Sequence, residues 1–212
     1  MKRIFDFTLA LVGMVGSFPL WAVIALGVWL EDRGRIFFRY DSVGKYGRIF
    51  QTLKFRSTRL ADEEGVVMAC PQKSSEVTRI GRLLRRTAMD ELPQLWNILK
   101  GEMSFVGPSP LKLVDCDNND SEPRGLWEIE GFVERSSVKP GLTGMAQILL
   151  PFDAKRQEKF KHDVWYAKNH SFWLDLRIIL HSFFITSRGG WKKEEMRFAL
   201  PPILWHTYYG GK

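Results

Sequence analysis

Cysteine and histidine are scarce in this chain: Cys70 and Cys116 are its two cysteines in 212 residues, and His162, His170, His181 and His206 its four histidines. Two cysteines make no disulfide framework, and neither sits in a CxxC or Cys/His cluster with zinc spacing, so a reducing, cytoplasmic compartment is expected. The scattered histidines exclude an HExxH-type metal motif. A GxxxxGK[ST] loop, a GxGxxG turn and a GxSxG elbow are also missing, which removes the common nucleotide-hydrolase, dinucleotide and serine-hydrolase readings. The most telling absence is charge: residues 7–30, FTLALVGMVGSFPLWAVIALGVWL, carry no ionisable acid or base.

Against that gap stands an excess of 31 Lys plus Arg over 24 Asp plus Glu, a net charge of +7, most of it downstream. The mean hydropathy is only −0.18 with 45% hydrophobic residues, so neither a disordered chain nor a polytopic membrane protein fits. One membrane element attached to a basic soluble body is the organisation implied. The chain divides into a membrane segment at 1–34, a soluble body at 35–190 and an aromatic tail at 191–212. An α/β fold is expected, mostly helical with small strand content.

A cleaved signal peptide, a spanning helix and a re-entrant helix compete for the first segment. A signal peptide would end in an A-x-A-like site, whereas Trp29-Leu30-Glu31-Asp32 stands there. The uncharged residues would reach roughly 36 Å as a helix, enough to cross about 30 Å of hydrocarbon. Yet Ser17-Phe18-Pro19 falls mid-segment, where proline removes a donor and a break is expected. Lys2 and Arg3 flank one end and Arg33, Arg35 and Arg39 the other, and positive charge marks the cytoplasmic side. A helix broken at Ser17 and Pro19, both halves returning to the cytoplasmic face, satisfies both facts; a kinked single span is the alternative.

Beyond it, residues 35–40 and 48–56 read as strands around a Gly-punctuated turn at 43–47, and 59–76 as a polar loop. Val77, Ile80, Leu83 and Leu84 recur at helical spacing with Arg79, Arg82, Arg85 and Arg86 around the other face, a pattern suited to an anionic surface. Thr87 to Gly101 reads as a helix with Thr87 and Asp90 as capping residues, Asp90 and Glu91 in its first turn, and Leu92, Leu95, Trp96 and Leu99 as its buried stripe. Ordinary dipole pairing would account for two acids there. A helix N-terminus beside Arg85 and Arg86 also suits phosphate, and an ionised Asp90 among cations suits nucleophilic phosphoryl transfer. Residues 138–144 form a Pro/Gly loop whose amides could approach a ligand closely.

Several segments occur in a recognisable order: LysArgIlePheAsp at 2–6, a Pro-broken apolar stretch, LysPheArgSer at 54–57, AspGluLeuProGln at 90–94, NILKGEMSFVGP at 97–108, KPGLTGMAQ at 139–147 and DVWYAKN at 163–169. This ordered set resembles the bacterial sugar transferase family, the monotopic phosphoglycosyl transferases. The resemblance implies a re-entrant helix and transfer of phosphosugar from a UDP-sugar to polyprenyl (undecaprenyl) phosphate with release of UMP, initiating surface glycan synthesis at the cytoplasmic face of a bacterial inner membrane. It implies Asp90 as a nucleophile forming a covalent phosphosugar intermediate, Glu91 as its partner in base or metal chemistry, and Mg²⁺ held by Asp90 and Glu91. Lys54 and Arg85 match family positions that contact phosphate, with Arg56 and Arg86 as further candidates; Gly141, Thr143, Gly144 and Gln147 form the nucleotide-sugar loop.

Two departures stand out. The family's Gly-Pro-Arg-Pro reads Gly107-Pro108-Ser109-Pro110 here, and its Asn-Gly-Arg after the Gln147 loop is replaced by Ile148-Leu149-Leu150-Pro151-Phe152. They motivate a second reading, a catalytically silent membrane scaffold of a glycan assembly complex; a membrane-surface module without chemistry is a third. Asp115-Cys116-Asp117 resembles an Asp-x-Asp metal motif but sits in a polar stretch and reads as a solvated loop. Residues 172–185, too short to span, read as a helix at the membrane surface, with aromatics of the tail beside it. Anionic lipid is thus an expected partner and nucleic acid is not, since no nucleic-acid motif accompanies the charge. A homodimer and downstream glycosyltransferases are further partners this reading allows.

Overall fold

A computed structural model of the chain describes residues 1–59, 77–112, 128–151 and 154–187. The loop read at 59–76 (beyond its first residue), Asp115-Cys116-Asp117 and the aromatic tail lie outside the described residues. The described part is mostly helical with little strand, as expected for the fold class.

The N-terminal helix α1 (Lys2–Asp32) passes through Pro19 as one helix, so the expected break at Ser17 and Pro19 is not an interruption into two halves. Proline deprives only the carbonyl four residues earlier of its donor, and the surrounding ladder continues. Ser17 serves the helix locally, its hydroxyl donating to the Met14 carbonyl at 3.4 Å and accepting from Trp21 Nε1 at 3.0 Å.

Apolar residues surround α1 on all sides, yet one stripe, Asp6, Ala10, Gly13, Ser17, Trp21, Ile24 and Val28, faces the body, with Asp6, Ala10, Ile24 and Val28 fully buried. Its i, i+3/i+4 spacing is the stripe of a packed helix. Small residues let neighbours come close: a methyl group on Gly13 would touch Leu95, and one on Gly27 would touch Ile80 at 3.0 Å. The opposite face, including Phe7, Val12, Val15, Phe18 and Val23, is exposed.

Strands β1 (Phe37–Val43) and β2 (Ile49–Phe55) pair antiparallel, with Tyr40 opposite Thr52 and Phe38 opposite Lys54. The turn between them is a tight 3₁₀ element at Lys45–Gly47. Helix α2 (Arg79–Thr87) is capped by Thr78, and Ala88 closes it in the left-handed region with φ 54°. A 3₁₀ turn at Met89–Glu91 follows, then α3 (Gln94–Lys100).

The single helix expected from Thr87 to Gly101 is therefore divided. Pro93 has no amide to give the Met89 carbonyl, so this stretch closes with tighter i→i−3 bonds, Glu91 N to Ala88 O at 3.2 Å and Leu92 N to Met89 O at 3.3 Å. Thr87 ends α2, its hydroxyl donating back to the Leu83 carbonyl at 2.9 Å, and caps nothing downstream. Division also rotates α3 relative to the expected stripe: Ile98 and Asn97 are buried, while Trp96 is 46% exposed.

Strand β3 (Ser104–Val106) runs parallel to β5 (Gly141–Thr143), and β4 (Leu111–Lys112) adds to the free edge of β1. Helices α4 (Phe132–Arg135), α5 (Met145–Leu149), α6 (Arg156–Asn169) and α7 (Phe172–Ser187) complete the described body. Val106, Met145, Ile148, Tyr166, Leu174 and Ile178 form one apolar core, joining β3 to α5, α6 and α7. A second cluster, Ala10, Phe50, Leu95, Ile98 and Met103, holds α1 to α3 and β2.

The sequence segments meet in pairs. Asp6 accepts from Ser104 Oγ at 2.8 Å and Phe105 N at 3.1 Å; Lys2 Nζ lies 2.5 Å from Asp175 and 3.1 Å from Tyr166 Oη. Buried Arg135 binds buried Asp163 at 2.9 Å and donates to the Ser109 carbonyl at 2.5 Å.

Candidate active site

The site is built where β2 meets the turn between α2 and α3. Lys54 projects from β2, on the same sheet face as Thr52 and, across the pair, Tyr40 and Phe38. Its ammonium is 2.6 Å from Glu91 Oε1 and 4.0 Å from Asp90 Oδ2. Residue 90 is 9% exposed overall, while the Lys54 and Glu91 side chains are 23% and 27% exposed, so the trio lies at the floor of an accessible surface.

The second edge of β2 explains why the dyad sits there. Asn97 of α3 is buried; its Oδ1 accepts from Leu53 N at 3.1 Å and its Nδ2 donates to the Gln51 carbonyl at 2.7 Å and to Glu102 at 2.7 Å. One carboxamide thus satisfies the strand's outward backbone groups as another strand would. That fixes α3, and with it the dyad, against Lys54.

Burial is the largest influence on Asp90 and pushes its carboxyl above the ordinary aspartate range; Lys54 opposes this, Glu91 reinforces it, and Arg85 opposes it again. Burial alone would lower the Lys54 ammonium, but Glu91, Tyr40 and Asp90 outweigh it and hold it above its ordinary value. Tyr40 is raised, first by burial, and is stabilised as a neutral phenol. A carboxylate held among cations, next to a second carboxylate and a fixed ammonium, can attack a phosphorus centre whose oxygens the cations neutralise.

The other candidates fall in different surroundings. Arg85 is exposed on the last turn of α2, its Nε donating to Ser57 Oγ at 2.9 Å, and Arg86 is exposed beside it. Arg56 is buried and engaged by Asp32, one nitrogen donating at 2.6 Å. Gly141 and Gly144 make a close backbone approach, but to the neighbouring strand: a Cβ on Gly141 would collide with Gly107 N, and one on Gly144 with Gly107 O. Thr143 N–H and carbonyl belong to this strand pairing, with Gly107 N donating to Thr143 O at 3.0 Å. Gln147 donates to the Leu142 carbonyl at 3.4 Å, and its Oε1 is buried without a partner.

Sequence reasoning missed Tyr40 and Asn97. Tyr40 becomes visible once the hairpin register puts it diagonally across from Lys54. Asn97 carried a weaker signal, a polar residue between the apolar positions Leu95 and Ile98.

A family profile described as bacterial sugar transferase matches residues 1–189. The chain belongs to this family. It is 36% identical over 185 residues to a UDP-glucose:undecaprenyl-phosphate glucose-1-phosphate transferase of Xanthomonas campestris pv. campestris, covering 84% of this chain and 37% of the relative. It is 35% identical over 182 residues to a UDP-N-acetylgalactosamine-undecaprenyl-phosphate N-acetylgalactosaminephosphotransferase of Aeromonas hydrophila, covering 84% of this chain and 42% of that protein. The chain thus spans about two-fifths of the length of these relatives. It covers 83% of EpsL of Bacillus subtilis, an uncharacterized sugar transferase to which it is 37% identical over 180 residues.

Proposed function

We propose that this protein transfers a sugar 1-phosphate from a UDP-sugar to undecaprenyl phosphate and releases UMP. The observation that carries the reading is the Asp90–Glu91 pair held beside Lys54 on β2, within a chain that belongs to a sugar transferase family. The names of the relatives support the same substrate pair.

A carboxylate oxygen of Asp90 attacks the phosphorus attached to the sugar; the bond to the bridging oxygen breaks and UMP leaves with the electron pair. A phosphate oxygen of the lipid then attacks the aspartyl-phosphosugar and regenerates the carboxylate. Lys54 and Arg85 neutralise phosphate oxygens as charge shifts among them. Glu91, bound to Lys54, holds that ammonium between the carboxylates.

Among the described residues no cluster of three or more His, Cys, Asp and Glu side chains exists. Mg²⁺ needs no such cluster, since it is commonly held by one or two carboxylates together with substrate phosphates. Asp90 and Glu91 fit it in that manner, and the ion would neutralise diphosphate charge.

Attachment to the cytoplasmic face of a bacterial inner membrane, without crossing, goes with this reading. By length and composition α1 could cross a membrane. However, both ends of α1 are bound to the same body: Lys2 to Asp175 at one end, Glu31 to the amides of Arg79 and Ile80 at the other. The outer face of α1 continues into α7 through a ring contact of Phe5 with Phe172 at 5.3 Å, and Trp173 and Phe183 of α7 are 69% and 75% exposed. Such an apolar face suits partial immersion in lipid. Single cysteines at residues 4 and 35 of a Cys-free chain should label from one side of the membrane; labelling from opposite sides sinks attachment without crossing.

The catalytic test is UMP release by the full chain given UDP-sugars and undecaprenyl phosphate. Release from at least one UDP-sugar is expected. No release across a broad sugar panel, with binding of UDP retained, would favour the silent scaffold that Ser109 and the missing Asn-Gly-Arg segment motivate.

A further inference from the structure

Helix α1 ends on two consecutive acids, Glu31 and Asp32, with no base in its last turn. Carboxylates there face the negative end of the helix dipole, which is unfavourable. Both are instead turned outward onto other elements. Glu31 accepts from Arg79 N at 2.6 Å through one oxygen and from Ile80 N at 3.0 Å through the other. Thr78 accepts from Gly81 N at 2.8 Å through its hydroxyl, and its own amide donates to the Ser57 carbonyl at 3.1 Å. All four amides that a helix start leaves open are therefore satisfied, half of them by a residue 48 or 49 positions away.

Below this cap, Ile24 and Val28 of α1 pack against Leu84 and Ile80 of α2. At the other end of α2, Arg85 is braced by Ser57, and the chain turns at Ala88 directly into Asp90. Asp32 meanwhile holds Arg56, two residues from Lys54. The acidic end of the membrane helix thus grips both elements that carry cations to the dyad.

We infer that Glu31 is a positioning residue: by capping α2 from α1 it sets Arg85 against Asp90, so that the seating of the membrane helix governs how the site receives a diphosphate. The inference rests on the reading of the site as a UDP-sugar site, and binding is therefore measured apart from turnover. Full-length protein in nanodiscs of phosphatidylethanolamine and phosphatidylglycerol is titrated with UDP and Mg²⁺.

Glu31→Ala is expected to weaken UDP binding about tenfold and to speed exchange of the Arg79 and Ile80 amides, leaving those of α6 unchanged. Glu31→Gln, which keeps one carbonyl acceptor, is expected to fall between and remains informative if the alanine variant fails to fold. In an Arg85→Ala background, Glu31→Ala should add little further loss, since coupled residues are non-additive. Unchanged UDP affinity in both Glu31 variants, or an equal loss with and without Arg85, overturns the inference. Normal UDP binding in the wild type without UMP release overturns the catalytic reading alone.

Discussion

Lys54 Nζ sits 2.6 Å from Glu91 and 4.0 Å from Asp90, so the lysine is ion-paired first with the second acid of the dyad. In the proposed reaction Asp90, which still feels the ammonium, is left to meet the incoming phosphorus centre. Replacing Lys54 by methionine should lower kcat/KM for the UDP-sugar by about 100-fold, the typical loss on removing one charge-stabilising donor. Arginine at this position should recover part of it.

The pH profile follows from the same geometry. As the proposed nucleophile Asp90 must be ionised, and its carboxyl is raised by burial with Lys54 opposing. Turnover should therefore fall as pH drops through a value above the ordinary aspartate range. Removing Lys54 takes away the main opposing charge and should move this acid limb to still higher pH. An acid limb that stays in place in the Lys54 variant contradicts the assignment.

Asp90→Asn should abolish UMP release without lowering the melting temperature. A raised acid pKa means the folded protein binds the proton more tightly than the unfolded chain, so ionised Asp90 is a destabilising feature at neutral pH that is relieved as pH falls. Asparagine keeps the shape and removes the charge. Full activity in this variant would end the nucleophile assignment; thermal unfolding checks the other half.

Asn97→Ala leaves Leu53 N, Gln51 O and Glu102 short of a partner in a partly buried setting. The expected cost is about 1–3 kcal/mol. Because α3 then loses its tie to β2, kcat should fall as well, which denaturant unfolding and UMP release would separate.

Arg135→Met strands the buried Asp163 carboxylate, with an expected destabilisation of about 3–5 kcal/mol. Burial pushes Asp163 up and Arg135 opposes it. The double variant with Asp163→Leu should regain most of the loss, a cycle readable in chemical denaturation.

The hairpin of β1 and β2 was legible because alternation and a Gly-rich turn are local signals. The existence of α2 was legible too, but the helix starts only at Arg79, Val77 bridges to Thr58 instead, and Leu83 of the expected apolar face is 60% exposed. The division of residues 87–101 was not, although Pro93 was in plain view: proline near a helix start is tolerated, and only the left-handed Ala88 turns tolerance into a separate turn. Trp96 was misplaced for the same reason, since dividing the helix rotates its faces.

By itself the sequence determined the apolar, uncharged helix, the small-strand and mostly helical body, and the ordered segments that mark a sugar transferase, because periodicity and short motifs depend on neighbours in the chain. The tertiary structure decided which motif faces which. Lys54 and Glu91 are 37 positions apart, Glu31 and Arg79 are 48, and Lys2 and Asp175 are 173. Such pairings follow from how α1 lies along the body and how α3 docks on the edge of β2, and no local pattern encodes a contact that exists only after the core has closed.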